Sequence, residues 1–345
     1  MNMKNKISTK ILVTTIATLS INPIAFSNEN HNEEDFKEWL SEFKEEVISN
    51  KDKYKISEEN INIAFNNTNF LKRAIKSDKN QSEFRPSFEQ YLGGYLSPAF
   101  TKKALKLRRK HWKSFDKVDQ KYHIPRNYLI ALWGAETSFG KFFGNQHILS
   151  STATLAYEGR REEFFKKQFI AAIKIAEEND FNLAEMEGSW AGGLGNFQFI
   201  PTTFEQYAVD GNNNGKIDLW NDMDDAFSSA ANLLTKYGWK EGELWGREII
   251  LPENFDEELL DINGEKEKQT VSFWKSKGIK TINNKELPNS KKLGRVIKTN
   301  DGARTFLVYN NFEVIRRWNR SNHYALKIGL IRNELANEEN LKLLK

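Results

Sequence analysis

Glu136 is the residue whose type and position could do chemistry. It lies in Trp133-Gly134-Ala135-Glu136-Thr137-Ser138-Phe139-Gly140. The preceding residues read as a helix: Pro125 suits a helix start, and Tyr128, Leu129, Leu132 and Trp133 follow at helical spacing. Glu136 falls four residues after Leu132 and three after Trp133, so it shares their apolar face, and Gly140 stands where the helix would stop. A carboxyl group on that face is costly unless it is protonated, paired or used. Desolvation raises its pKa, which suits a general acid working near neutral pH. A structural Glu that caps or pairs with a neighbouring loop fits the same stretch.

Two further stretches offer ligand chemistry. Gly188-Ser189-Trp190-Ala191-Gly192-Gly193-Leu194-Gly195-Asn196-Phe197-Gln198-Phe199-Ile200-Pro201 is too rich in glycine for a regular element. No Lys-Ser or Lys-Thr follows, and dinucleotide-fingerprint spacing is absent, so it does not read as a phosphate loop. A sugar chain lying on exposed backbone, with Ser189 and Gln198 as hydrogen-bonding side chains, is physically sensible; a glycine turn packed closely on a helix is the plain alternative. Asp210-Gly211-Asn212-Asn213-Asn214-Gly215-Lys216-Ile217-Asp218 resembles the start of an EF-hand loop. Asp210, Asn212 and Asn214 would ligate by side chain and Lys216 by its carbonyl. Asn221 stands where the closing Glu is usual, so Asp224 or Asp225 would have to close the site. A weak Ca²⁺ or Na⁺ site and a metal-free Asx-rich turn both fit, and no cofactor is otherwise required.

Composition limits the wider reading. The 345 residues suffice for two or three domain-sized units, or one domain with lobes. The 24 Phe and 9 Trp exceed the needs of a minimal core, so some are available to line a groove. Lys4, Lys6 and Lys10, the apolar run Ile11 to Phe26, and Ala25-Phe26-Ser27 form a secretory signal, with cleavage expected near Asn28. Removing those three lysines takes the formal charge from +4 to about +1, which leaves no bulk footprint for nucleic acid. The chain has no Cys, hence no disulfide, thiolate metal site, cysteine nucleophile or lipid-attachment cysteine. No later stretch is long enough to span a membrane. A periplasmic, soluble monomer is expected.

The elements around Glu136 follow from periodicity. Residues 28–122 read as an N-terminal helical lobe, with stripes at Phe36, Trp39, Leu40, Phe43 and Val47, a helix after Ser57, and one long helix from Phe100 to Tyr122. His111 in that helix reads as a core or boundary histidine. Residues 123–250 form the core that carries the chemistry, including an amphipathic helix around Phe165 to Ala176. Residues 251–310 read as a small β-rich lobe, with strand-like runs at Gln269 to Trp274, Arg295 to Lys298 and Phe306 to Tyr309. Residues 311–345 turn helical again and return to the core.

With these stretches in order, the chain resembles the lytic murein transglycosylases of the membrane-bound B family, including their soluble forms. The resemblance rests on the Trp133 and Gly188 motifs, Gln198-Phe199-Ile200-Pro201-Thr202-Thr203-Phe204, Tyr207 to Asp210, Asp218-Leu219-Trp220, and Asn311-Phe312 through Trp318-Asn319-Arg320-Ser321. It runs from about Arg85 to Leu330. It implies a mainly α fold (α+β), a goose-type-lysozyme-like helical core with an N-terminal helical lobe and a small β-rich lobe. It also implies a substrate, the peptidoglycan glycan strand. Cleavage would fall at the β-1,4 bond between N-acetylmuramic acid and N-acetylglucosamine, without water, leaving a 1,6-anhydromuramoyl end. The resemblance makes Glu136 the single catalytic residue. It places Tyr91, Ser189, Gln198, Asn319 and Tyr324 in the groove, and the EF-hand-like loop at Asp210. Trp318 stands where the family has a tyrosine, which keeps an aromatic face and loses a hydroxyl. Leu233 falls near another groove tyrosine, and Phe197 takes a place where smaller residues are common, which would narrow the loop. The metal loop is one residue longer before Asp225. Two rival readings remain: a lysozyme-type hydrolase with Glu158, Glu162 or Glu185 as second carboxylate, and a non-catalytic peptidoglycan-binding protein.

Overall fold

The computed structural model describes residues 31–83 and 86–343; the signal segment read at residues 1–27 lies outside them. The Glu136 helix, Arg126–Thr137, lies at the centre. Its residues Asn127 to Gly134 and Thr137 are buried, so it is apolar nearly all round, as a helix enclosed by other helices must be. It is surrounded by Pro98–Lys110, Trp112–Tyr122, Met223–Lys236 and the long Asn322–Leu343. Gly134 is required there. A Cβ on it would sit 2.6 Å from Phe100 Cζ and 2.7 Å from Phe139 Cζ, so both rings close directly onto the helix backbone.

The N-terminal lobe forms around Glu33–Ser49 and Glu58–Asn66, whose starts are capped by Asn32 and Ser57 side chains accepting from Asp35 N and Asn60 N. Phe43 and Phe65 from these helices meet Phe169 of the core helix Glu162–Asn179. The long helix read from Phe100 to Tyr122 is two helices, Pro98–Lys110 and Trp112–Tyr122. They break at His111, whose backbone leaves the helical region at φ −104° and ψ 27°. Its ring lies edge-on to Trp133 and Phe227, centroids 5.6 and 6.1 Å away. The stripe persists across the break, which is why periodicity alone joined the two.

Two short strands, β1 (Gln146–His147) and β2 (Glu187–Gly188), pair antiparallel and bring the loop after Glu136 against the start of the glycine-rich loop. A second sheet is built from β3 (Gly246–Ile250), β4 (Gln269–Thr270), β5 (Lys280–Thr281), β6 (Leu293–Lys298) and β7 (Thr305–Val308), in spatial order β4-β6-β7-β3-β5. Its first strand starts at Gly246, ahead of residue 251. Ile297 pairs with Phe306, and Val296 with Leu307. The first pair joins the main core, while the second faces a separate cluster with Val271, Trp274 and Ile279. This period-2 division explains why β6 and β7 are apolar on both sides. The run Gln269 to Trp274 is a strand only at its first two residues. Thr270 then accepts from Phe273 N and caps a short helix, Val271–Ser276, so a β-branched run is overridden by a cap.

The sheet is bolted to the helix that follows it. Arg295 on β6 is 1% exposed and pairs with Glu313 at 2.7 Å. Glu313 belongs to Asn310–Trp318. Asn311, fully buried, accepts from Lys240 N and donates to the Lys240 and Glu243 carbonyls, fixing the same helix from the other side. Glu313→Ala should cost about 3 kcal/mol by leaving buried Arg295 with only Asp261, 3.9 Å away, as a carboxylate partner. Urea unfolding checks this, and a loss under about 1 kcal/mol would contradict the assignment.

Candidate active site

The Glu136 helix ends abruptly one residue later. Ser138, Phe139 and Gly140 have φ of 52°, 65° and 72°. Ser138 N bonds to Gly134 O at 3.1 Å, and Phe139 N to Trp133 O at 3.2 Å, which closes the helix end. Glu136 therefore sits on the last turn, with its side chain facing the C-terminal helices. Trp318 Nε1 donates to Glu136 Oε1 at 3.1 Å, and the Tyr324 hydroxyl donates to the same oxygen. Tyr324 is 3% exposed and lies on Asn322–Leu343. Burial raises the Glu136 pKa above the ordinary carboxyl value; the Tyr324 hydroxyl, the Lys327 charge and the Trp318 N–H oppose it, in that order. The group is thus poised by burial, not by a second acid.

Both donors take the same oxygen, and that sets where a proton can go. A carboxylate oxygen offers two lone-pair sites, and here Oε1 uses both. An indole N–H can only donate. Protonating Oε1 would leave one donor facing a proton, so the proton belongs on Oε2. The departure at Trp318 is thus more than an aromatic face without a hydroxyl: the indole N–H is a donor to the acid. Its ring rests edge-on against Phe199 and Phe197, centroids 5.5 and 6.0 Å away. Phe197 is 1% exposed and packs beneath Trp318 and against Phe227, so it does not narrow the loop. Leu233 is likewise core, buried in Met223–Lys236.

The glycine-rich loop is held to the same helix. Trp133 Nε1 donates to Asn196 Oδ1 at 2.7 Å, and the Thr137 hydroxyl donates to Asn196 O at 2.9 Å. Ser189 Oγ accepts from Gly193 N at 2.8 Å, while Gln198 Nε2 donates to Phe143 O and Gly195 O at 3.0 and 3.2 Å. A Cβ on Gly193 would come within 2.7 Å of Ser189 Oγ and 2.8 Å of Gln198 Oε1. These two side chains are therefore brought together across a bare backbone position.

Tyr91, on Phe88–Leu92, does not bond to Glu136. Its ring faces Lys327, and burial, followed by the Glu136 charge, pushes its hydroxyl up to about 12. Asn319 is exposed at the C-cap of Asn310–Trp318, with its backbone N bonded to Ile315 O at 3.3 Å. Two neighbours went unread in the sequence: Tyr95, whose hydroxyl donates to Ala135 O at 3.5 Å, and Lys327. Lys327 follows Tyr324 by three residues on one helix, so helical spacing could have found it. Glu158 pairs with Arg160 at 3.1 Å, Glu162 with Lys166 at 3.0 Å, and Glu185 is exposed beside Trp220. None of the three bonds to Glu136 or shifts it.

The Asp210 loop closes on itself. Asp210 accepts from Asn214 N at 3.1 Å and Gly215 N at 2.7 Å; Asn212 and Asn214 accept from Asn214 N and Lys216 N, each at 2.9 Å. Asp224 pairs with Lys117 at 2.6 Å, outside the loop. Asp225, fully buried, accepts from Gly211 N at 2.7 Å and Asp218 N at 2.8 Å, and burial pushes its carboxyl up to about 6. Ca²⁺ takes six to eight oxygens; of the two acids proposed to close the site, Asp225 turns toward the loop and is occupied by its backbone N–H groups, while Asp224 turns away to Lys117. Among the described residues, no group of three or more His, Cys, Asp or Glu side chains is arranged to hold a metal ion.

A partly buried acid on the last turn of a buried central helix, with Trp318 and Tyr324 donating to one of its oxygens, is the site of a transglycosylase of lysozyme-like fold. The chain belongs to the transglycosylase SLT domain family, which matches residues 35–333. It is similar to the membrane-bound lytic murein transglycosylase B of Escherichia coli (strain K12), at 27% identity over 249 residues, 72% of this chain and 67% of that protein. The structure of SltB3 from Pseudomonas aeruginosa in complex with NAG-anhNAM-pentapeptide superposes with a TM-score of 0.80 at 34% identity, covering 87% of this chain and 79% of that one. The E. coli lytic transglycosylase Slt35 in complex with calcium shares the fold, with a TM-score of 0.74 at 23% identity, covering 87% and 93%. Among the described residues, no helix is long and apolar enough to cross a membrane.

Two stability outcomes follow. Glu136→Gln removes a carboxyl whose folded pKa is raised. The wild-type cost is absent below the unfolded value and appears as pH rises through the folded one. The variant should therefore melt a few degrees higher at neutral pH, with the gain shrinking toward about pH 4.5. Because the Asp210 loop is satisfied internally, adding a chelator should leave the melting temperature unchanged at neutral pH; a calorimetric fall of several degrees would show that metal holds the loop.

Proposed function

We propose that the chain cleaves the N-acetylmuramic acid–N-acetylglucosamine β-1,4 bond of peptidoglycan without water, leaving a 1,6-anhydromuramoyl end, with Glu136 acting first as acid and then as base. The observation that carries this reading is the pair of donors on one oxygen of a partly buried carboxyl, with no second acid bonded to it or shifting it. Hydrolytic glycosidases ordinarily use two carboxyl groups on opposite sides of the bond.

The steps balance with one. Glu136 Oε2 gives its proton to the glycosidic oxygen, and the C1–O bond breaks with its electron pair going to that oxygen. Trp318 and Tyr324 stabilise the carboxylate left behind. The C6 hydroxyl of the same muramoyl residue attacks C1, and its proton passes to Glu136. A C–O bond has broken, another has formed, and the acid is restored without water. Burial and the raised pKa favour the protonated start; the two donors favour the charged intermediate. The opposing shifts on Glu136 are those a residue visiting both states needs.

Ser189 and Gln198, both partly exposed, would form the surface on which a glycan strand lies, with Tyr91 and Asn319 further along it. Support for the anhydro product comes from the SltB3 complex with NAG-anhNAM-pentapeptide at 34% identity. The sequence signal at residues 1–27 supports export to the periplasm, where this substrate is found.

Incubation with purified sacculi tests the reading. The wild type should release muropeptides one water lighter than the hydrolysis products, and Glu136→Gln should lower release at least about 10³-fold. Products carrying the mass of added water would favour the lysozyme-type rival. Trp318→Phe keeps the ring and removes the N–H, and should lower the rate about tenfold, as the loss of one hydrogen bond to a charged group implies.

A further inference from the structure

Lys327 has no place in the reaction as drawn, yet it is the most unusual charge in the molecule. It is 6% exposed, and lysine is almost never that buried unless paired. Among the described residues it makes no contact ion pair. Its ammonium instead stands over three tyrosine rings, 4.5 Å from the centroid of Tyr95, 4.6 Å from Tyr91 and 5.4 Å from Tyr324. These rings come from three elements: Phe88–Leu92, the 3₁₀ turn Gly93–Leu96, and Asn322–Leu343, which also bears Lys327. A cation over aromatic faces is stabilised most when desolvated. Tyr324 serves on both sides: its ring faces Lys327 while its hydroxyl donates to Glu136.

We propose that Lys327 is a positioning residue for the reaction, its tyrosine-clasped ammonium stabilising the Glu136 carboxylate that forms when the proton leaves. The inference rests on the reading of Glu136 as acid and then base. A cation in direct contact with Glu136 would keep it ionised and unfit as an acid. One held back by tyrosines lowers the energy of the charged state without extinguishing the neutral one.

The groups around it sharpen the expected pH behaviour. Glu136 faces it from Arg126–Thr137, and Tyr91, Tyr95 and Tyr324 surround it; burial raises all three hydroxyls, so they stay neutral throughout the working range. His323, on the same helix and beside Tyr91, is pushed below its ordinary value by burial and is neutral above it. On Pro98–Lys110, Lys103 is turned away to Ser138 O at 3.0 Å. From Asn310–Trp318, Trp318 meets Glu136. Burial brings Lys327 itself down to about 8, with the Glu136 charge opposing. Between neutral pH and about 9, Lys327 is the group in this cluster that changes charge.

The test is the pH profile of muropeptide release from sacculi by the full chain and its Lys327→Met, Lys327→Arg and Glu136→Gln variants. The wild type should lose activity above about pH 8. Lys327→Met should be about tenfold slower at neutral pH and lack that alkaline fall, while melting no lower than wild type because a buried charge is gone. Lys327→Arg, permanently charged, should keep the neutral rate within about threefold and lose the fall near pH 8. It carries the test if the methionine variant fails to fold. An alkaline fall that persists unchanged in either folded variant overturns the role of Lys327, and an inactive Glu136→Gln in the same experiment leaves the reading of Glu136 intact. A fully active Glu136→Gln overturns both.

Discussion

The hydrogen bonds from Trp318 and Tyr324 to a single oxygen of Glu136 are the constraint on which the rest of the structure depends. Glu136 lies in the middle of the chain, whereas its donors lie more than 180 residues later on two different helices. The chain must therefore return to the central helix after building the β lobe, and both returning helices must be fixed in rotation. Asn310–Trp318 is fixed by the Arg295–Glu313 pair and by buried Asn311. Asn322–Leu343 is fixed by packing on the central helix and by Trp245, whose ring would lie 2.3 Å from a Cβ on Gly329. The β lobe is thus a brace for the acid's donors as much as a neighbour of the groove.

Much of this was legible because it is local. Glu136 falls on the apolar face by spacing, Gly140 marks the end of its helix, and Ser57 caps the helix it precedes; each depends on residues within a turn or two. The mainly helical fold with a small sheet follows from the same periodicities. What was illegible depends on contacts made across the fold. The Trp318 N–H as a donor to the acid, Phe197 as core and the Tyr91 and Tyr95 rings around Lys327 cannot be read from neighbours in sequence, because their surroundings come from segments far apart. The break at His111 and the cap at Thr270 were missed for a different reason: hydrophobic period is blind to a single residue that changes the backbone path.

The Asp210 loop matters to the site through its own hydrogen bonds. Asp225 holds Gly211 N and Asp218 N, which fixes both ends of the loop from the helix Met223–Lys236. The carbonyls of Leu219 and Trp220, just past Asp218, then accept from Asn196 Nδ2 at 3.0 and 2.8 Å. The same Asn196 accepts from Trp133 through its side chain and from Thr137 through its backbone carbonyl. A run of buried and part-buried hydrogen bonds thus joins the loop to the residues flanking Glu136. A buried amide with each polar atom satisfied by a different segment tolerates little displacement of any of them. The loop therefore contributes to the site by holding Asn196, and through it the glycine-rich backbone, at a fixed distance from the acid.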